Sequence, residues 1–254
     1  AVEQPPIMPK PDLVPLTGAP TTTTTLQLPD GKTLDFRRLD LPIGGPTGNR
    51  HIPEDFDEVE GVISLGGPMN VGDMLPWIQP EMAFLREAHR RSLPVVGICL
   101  GAQLIAQALG GEVARMENDA AEWGMTAIRQ HPVANTDTIL AGVPWTSWQF
   151  SAHGHEVKTP PPGATVLQYS AKCRVQSFRA GLRTYGFQYH FECDGAAIAA
   201  FFQGSAPLMA CAGVESRPGL EEARRLYADY ARVSERLCVN LATYLFSVSR
   251  RIVA

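Results

Sequence analysis

The sequence predicts an α/β fold: an open, mostly parallel sheet flanked by helices, preceded by an irregular arm and closed by a helical C-terminus. Three observations lead there. Apolar, β-branched runs at residues 59–65 and 93–98 each stop at glycine-bearing turns. Helical spacing follows each run, at residues 80–91 and 102–109. Strand, helix, strand, helix is the order of parallel strands joined by crossover helices, which cover both faces of the sheet.

Taken in order, residues 1–50 read as an irregular N-terminal arm or loop. Pro5, Pro6, Pro9, Pro11, Pro15 and Pro20 break any periodicity, although Pro29-Asp30-Gly31 between two β-prone segments predicts a short hairpin. Residues 51–254 read as a single domain. In the first helix Pro80 lies near the start, and Met82, Leu85 and Ala88 share a side. The second helix ends at Gly110-Gly111. Extended segments follow at residues 125–129, 148–150, 165–168, 175–178 and 184–189, then a helix from Asp194, a residue suited to cap it. Leu220, Ala223, Leu226, Tyr230, Val233, Leu237, Leu241 and Leu245 recur every three or four residues, so residues 219–254 form a helical extension packed on its own domain.

Composition excludes several classes. At 254 residues the chain suffices for one substantial core. Twenty-two basic against 26 acidic residues, a net charge of -4 and no basic run speak against nucleic acid. No apolar run approaches the roughly 20 residues of a membrane span, and the first residues lack the order of a secretory signal. Cys99, Cys173, Cys193, Cys211 and Cys238 include no C-x-x-C pair, the pattern of a reduced, cytoplasmic protein. His153-Gly154-His155 offers two metal ligands where zinc wants three or four. Gly44-Gly45-Pro46-Thr47-Gly48 lacks the lysine of a phosphate loop. No metal and no cofactor are expected.

The chemistry gathers at Gly97-Ile98-Cys99-Leu100-Gly101-Ala102-Gln103. A thiol on a strand-to-helix turn is exposed, sits at a helix N-terminus and is readily made nucleophilic. Gly186-Phe187-Gln188-Tyr189-His190-Phe191-Glu192 supplies a base, His190, and a carboxylate, Glu192, that can set its tautomer. If both strands lie parallel in one sheet, Cys99 and His190 meet at the same edge. Backbone N–H groups of Gly67, after a third strand, and Leu100, after the nucleophile, suit an oxyanion. A neutral His190 is needed to take the thiol proton, so acid should remove activity.

With these motifs in view, the sequence resembles the class I glutamine amidotransferase family. The likeness spans residues 57–200 and rests on Val62-Ile63-Ser64-Leu65-Gly66-Gly67-Pro68-Met69, the Cys99 motif and the His190 motif, in that order. It implies a three-layer, flavodoxin-like α/β domain that hydrolyses the side-chain amide of glutamine through a glutamyl thioester on Cys99, with His190 and Glu192 as the other triad members. It also implies Gly67 and Leu100 as the oxyanion hole and Gly66 and Gln103 as substrate-binding residues. Cys173 and Arg174 lie where family members shape the substrate pocket. Glu122-Trp123-Gly124 and residues 150–156 look like further family segments, with His155 at a position usually acidic and Phe191 at one usually proline. Residues 1–50 lack the family's opening strand and helix.

The resemblance further implies ammonia delivery to a synthetase. This chain has no recognisable synthetase half, so a separately encoded synthetase subunit is the expected partner, with glutamine or a γ-glutamyl small molecule as substrate. Homo-oligomer formation stays open. Two alternatives stand beside this reading: a γ-glutamyl hydrolase or peptidase using the same thioester, and a noncatalytic binding or regulatory module that retains the fold.

Overall fold

The computed structural model describes residues 23–27, 33–37, 52–53, 55–57, 59–117, 120–211 and 215–246. The strands are β1 Thr23–Gln27, β2 Thr33–Arg37, β3 Val62–Ser64, β4 Val95–Ile98, β5 Glu112–Arg115, β6 Glu122–Gln130, β7 Thr146–His153, β8 His155–Thr159, β9 Thr165–Tyr169, β10 Ser177–Ala180 and β11 Thr184–Phe187. The helices are α1 Ile78–Arg90, α2 Leu100–Ala108, α3 Gly195–Gly204, α4 Ala206–Cys211 and α5 Ser216–Asn240, the last continued by a π-helical turn Leu241–Phe246. β1 and β2 pair antiparallel, as the hairpin expectation required. The rest of the arm, and residues 247–254 of the extension, lie outside the described residues.

Seven strands form the main sheet in the order β3-β4-β11-β10-β9-β6-β7. Only β3–β4 and β4–β11 are parallel; the remaining neighbours run antiparallel. The expected mostly parallel, flavodoxin-like sheet therefore gives way to a mixed one. The reason is connection length: a parallel neighbour needs a long crossover, whereas β10 and β11 are joined by three residues, which permit only a hairpin. β5 and β8 make a separate antiparallel ribbon.

The layers follow from alternation along the central strands. On β4, Val95 joins the core beneath α1 and α2, and Val96 and Ile98 join the opposite core. There the α5 stripe, Val233 and Leu237 continued by Leu241 and Leu245, packs on Tyr185 and Phe187 of β11. Burying each such side chain is worth about 1.5–3 kcal/mol relative to exposure, so the stripe alone explains why a 25-residue amphipathic helix docks on the sheet. Among the described residues no helix is long and apolar enough to cross a membrane.

For function the decisive feature is the parallel trio. Ser64 lies opposite Gly97, and Ile98 opposite Phe187, so β3, β4 and β11 end on one edge and deliver their following loops there.

Candidate active site

Cys99 closes β4 and caps α2. Its N–H donates to Phe187 O (2.8 Å) and its carbonyl accepts from Gln103 N (3.1 Å). Between these anchors the backbone is forced to φ 52°, ψ -108°, a region that costs a side-chain-bearing residue about 1–3 kcal/mol. The flanking glycines explain how the turn is so tight. A Cβ on Gly97 would lie 2.5 Å from the Gly101 carbonyl, and one on Gly101 would lie 2.0 Å from Ser64 O. Strand, elbow and helix thus touch backbone to backbone.

His190 stands three residues past β11. Its N–H donates to Phe150 O (2.7 Å), its carbonyl accepts from the Tyr230 hydroxyl (3.0 Å), and its Nδ1–H donates to Glu192 Oε1 (2.6 Å). Phe191, in place of the family's proline, turns inward and meets Phe187 edge-on at 5.1 Å, which drives its neighbours His190 and Glu192 outward. With Nδ1 committed, Nε2 faces the nucleophile. A Cβ on Gly66 would touch His190 Cε1 at 2.7 Å and Cys99 Cβ at 3.4 Å, so only glycine there leaves the thiol and imidazole their shared space. The Cys99 thiol also points at Ala152 O, 4.0 Å away.

Burial works to lower the His190 pKa, but hydrogen bonding with Cys193, Cys99 and Glu192 outweighs it and holds the imidazole well above its ordinary 6.5. The neutral ring that takes up the thiol proton is therefore reached only at higher pH than for an ordinary imidazole. Neither Gly67 N–H nor Leu100 N–H has a backbone acceptor among the described residues.

Other expected residues sit elsewhere. Gln103 is buried, its amide donating to His155 O (3.0 Å) and Gln188 Oε1 (3.1 Å), so those donors tie α2 to β8 and to the residue that follows β11. Cys173 is fully buried, donates to Val175 O, and burial pushes its thiol far up. Arg174 opens onto a separate recess with Lys158 and Tyr169. His155 is half-buried opposite Arg115, and burial, then the Arg115 charge, lower its pKa.

One assembly was not foreseen. Glu122, buried on β6, accepts from Ser170 Oγ (2.6 Å) and Gln176 Nε2 and pairs with His153 Nε2 (3.0 Å). His153 Nδ1 meets His155 O (2.9 Å), so both ring nitrogens face acceptors and neither is left for a metal. Burial alone would raise the Glu122 pKa; the His153, Ser170 and Gln176 bonds reverse it and lower it below 4.5. The network secures the end of β7 next to Ala152. Its signal in the sequence was the pair of segments Glu122-Trp123-Gly124 and 150–156.

Comparison with known proteins matches this arrangement. The glutamine amidotransferase class-I family model covers residues 46–198. The chain is similar to a subunit of the glutamine-hydrolyzing GMP synthase of Saccharolobus solfataricus, 36% identical over 140 residues, 55% of this chain and 70% of that one. It is also similar to the corresponding GMP synthase subunit of Sulfolobus acidocaldarius, 32% identical over 160 residues, 62% and 80% of the two chains. Among solved structures, a glutamine amido transferase from Methylobacillus flagellatus aligns with a TM-score of 0.65 at 27% identity, covering 75% of this chain and 78% of that one. With more than half of the chain matched, and its three motifs meeting at one sheet edge, the protein belongs to the class-I glutamine amidotransferase family.

Proposed function

We propose that this chain hydrolyses the side-chain amide of glutamine and passes the ammonia to a separately encoded synthetase subunit. The observation that carries the reading is the parallel register of β4 and β11, Ile98 opposite Phe187, which sets the strained Cys99 elbow beside His190. Cys99 sulfur attacks the amide carbon while its proton resides on His190 Nε2. Gly67 and Leu100 N–H groups hold the oxyanion, each worth about 3 kcal/mol of transition-state stabilisation. As the tetrahedral intermediate collapses, the imidazolium gives its proton to the departing nitrogen and ammonia leaves. Water, deprotonated by the now neutral ring, then opens the glutamyl thioester; glutamate departs and the thiol is restored. Glu192 keeps Nδ1 protonated throughout.

The partner follows from the relatives, which are themselves subunits of glutamine-hydrolyzing GMP synthases. We also take residues 51–254 as one unit with 219–254 as its helical extension, a reading supported by the α5 stripe on β11. The test measures glutamate and ammonia from glutamine and from γ-glutamyl dipeptides, with and without the synthetase partner. Glutamine should be preferred, its turnover should rise when the synthetase is present, and C99A should abolish it. Faster cleavage of γ-glutamyl dipeptides, or equal turnover in C99A, would overturn the proposal.

A further inference from the structure

The reaction gives the thiol of Cys193 no task, yet the fold holds it beside the triad. The Tyr230 hydroxyl bonds the Cys193 carbonyl (2.7 Å) as well as that of His190, and Asp194 caps α3 one residue on, through Ala197 N (2.7 Å). These anchors bring one ligand atom each from His190, Glu192 and Cys193 within 4.8 Å of one another.

We propose that His190, Glu192 and Cys193 form a site for a divalent cation of the zinc class, and that occupancy switches the amidase off. The donor set selects the ion. One nitrogen, one carboxylate oxygen and one thiolate suit zinc or cadmium, whereas magnesium and calcium want oxygen alone and iron–sulfur clusters want several thiolates. Zinc bonds of about 2.0–2.3 Å put tetrahedral ligand atoms roughly 3.3–3.8 Å apart. The Nδ1–Oε1 pair must open from its 2.6 Å hydrogen bond, and the Cys193 sulfur, within 4.8 Å of both, must close by up to about 1 Å, each within reach of a side-chain rotation. Three protein ligands leave a fourth position for water. Access is direct, since the Glu192 side chain is 30% exposed and Cys193 is partly exposed.

The consequence for the triad follows from which ring nitrogen is taken. Glu192 faces Nδ1, so the cation replaces the Nδ1 proton and Cys193 gives up its thiol proton, both to solvent. Nε2 keeps the proton taken from Cys99, and an N–H on a metallated ring gives it up far less readily than an imidazolium does, so the departing nitrogen goes unprotonated. Inhibition thus removes the general acid and leaves the nucleophile untouched. The inhibitory consequence rests on the glutaminase reading; the binding site does not.

The experiment titrates cadmium into the full chain and follows thiolate-to-metal charge-transfer absorption, with folding of each variant checked by circular dichroism. Wild type and C99S should bind one equivalent with similar affinity, and C193S and C193A should bind at least tenfold more weakly. Zinc should inhibit glutamine hydrolysis by the wild type at tenfold lower concentration than it inhibits C193S. Undiminished affinity in both Cys193 variants, or binding lost in C99S, would overturn the site. Cys193-dependent binding in a chain that never hydrolyses glutamine would uphold the site and refute the proposed function instead.

Discussion

Replacing Gly101 by alanine sets two effects of opposite sign against each other. Gly101 is the second residue of α2, and helix propensity alone promises a gain of up to about 1 kcal/mol for alanine over glycine. The packing says otherwise. The new Cβ would lie 2.0 Å from Ser64 O, about 1.4 Å short of the 3.4 Å where ordinary contact begins. The obstacle is backbone of β3, and Ser64 is further held by its hydroxyl bond to Glu81 Oε1 (2.6 Å), so no side chain can swing aside. Overpacking of this kind costs about 3 kcal/mol, the upper end of the usual range. The net loss is about 2 kcal/mol, a melting temperature lower by about 4–8 °C. Relief requires α2 to back away from β3 by about 1 Å, which pulls Leu100 N–H from Gly67 N–H and should lower glutamine turnover about 100-fold. Thermal unfolding and steady-state glutaminase assays read both, with Gly72→Ala, where a Cβ meets nothing within 4 Å, as the neutral control. A G101A protein more stable than wild type would refute the reasoning, because propensity would then have prevailed over the clash.

Three further outcomes follow from the geometry. Glu122→Gln leaves the buried His153 facing a neutral amide and should cost about 3–5 kcal/mol, read by denaturant unfolding; in the wild type this contribution is complete above pH 4.5 and fades as pH falls through the lowered folded value, so acid unfolding should start below pH 4.5. Because His190 is held well above 6.5, kcat/KM should fall on the alkaline side as the imidazolium is lost, and Glu192→Gln should move that limb to lower pH; a single acid limb centred at 6.5, unmoved in E192Q, contradicts the assignment. The stability this histidine contributes has the same sign, being full below 6.5 and lost as pH rises through its folded value. His190→Ala should reduce turnover far more than His155→Ala in the same assay, and equal losses would mean that the wrong histidine was chosen.

The parts legible in the sequence were those where local chemistry and local backbone demand coincide. Gly97, Cys99 and Gly101 announce a tight elbow because no larger residue fits, and the apolar stripes of α1 and α5 announce their own burial. Strand pairing was less legible. The hairpins linking β9, β10 and β11 reverse the sheet's sense, and nothing within any one strand records its neighbour's direction. β5 and β8 escaped notice because Glu112, Arg115, His155 and Lys158 break the apolar pattern of a strand; they are held by backbone bonds in a two-stranded ribbon. Side-chain direction was hardest. Gln103 and Cys173 lie in the motifs or beside them, but their partners, His155 O and Val175 O, are set by tertiary packing. Glu122 stood out only as part of a family-like segment, and its partners Ser170, Gln176 and His153 converge on it only in the fold.

The account turns on Cys99 becoming nucleophilic through His190, and covalent trapping tests this most directly. Intact-mass and peptide mass spectrometry after brief exposure to a glutamine-mimicking electrophile should show one adduct, on Cys99, formed at least 100-fold more slowly in H190A and absent in C99A. An adduct spread over Cys193 and Cys238 at similar rates, or trapping of Cys99 at the same speed without His190, would contradict it.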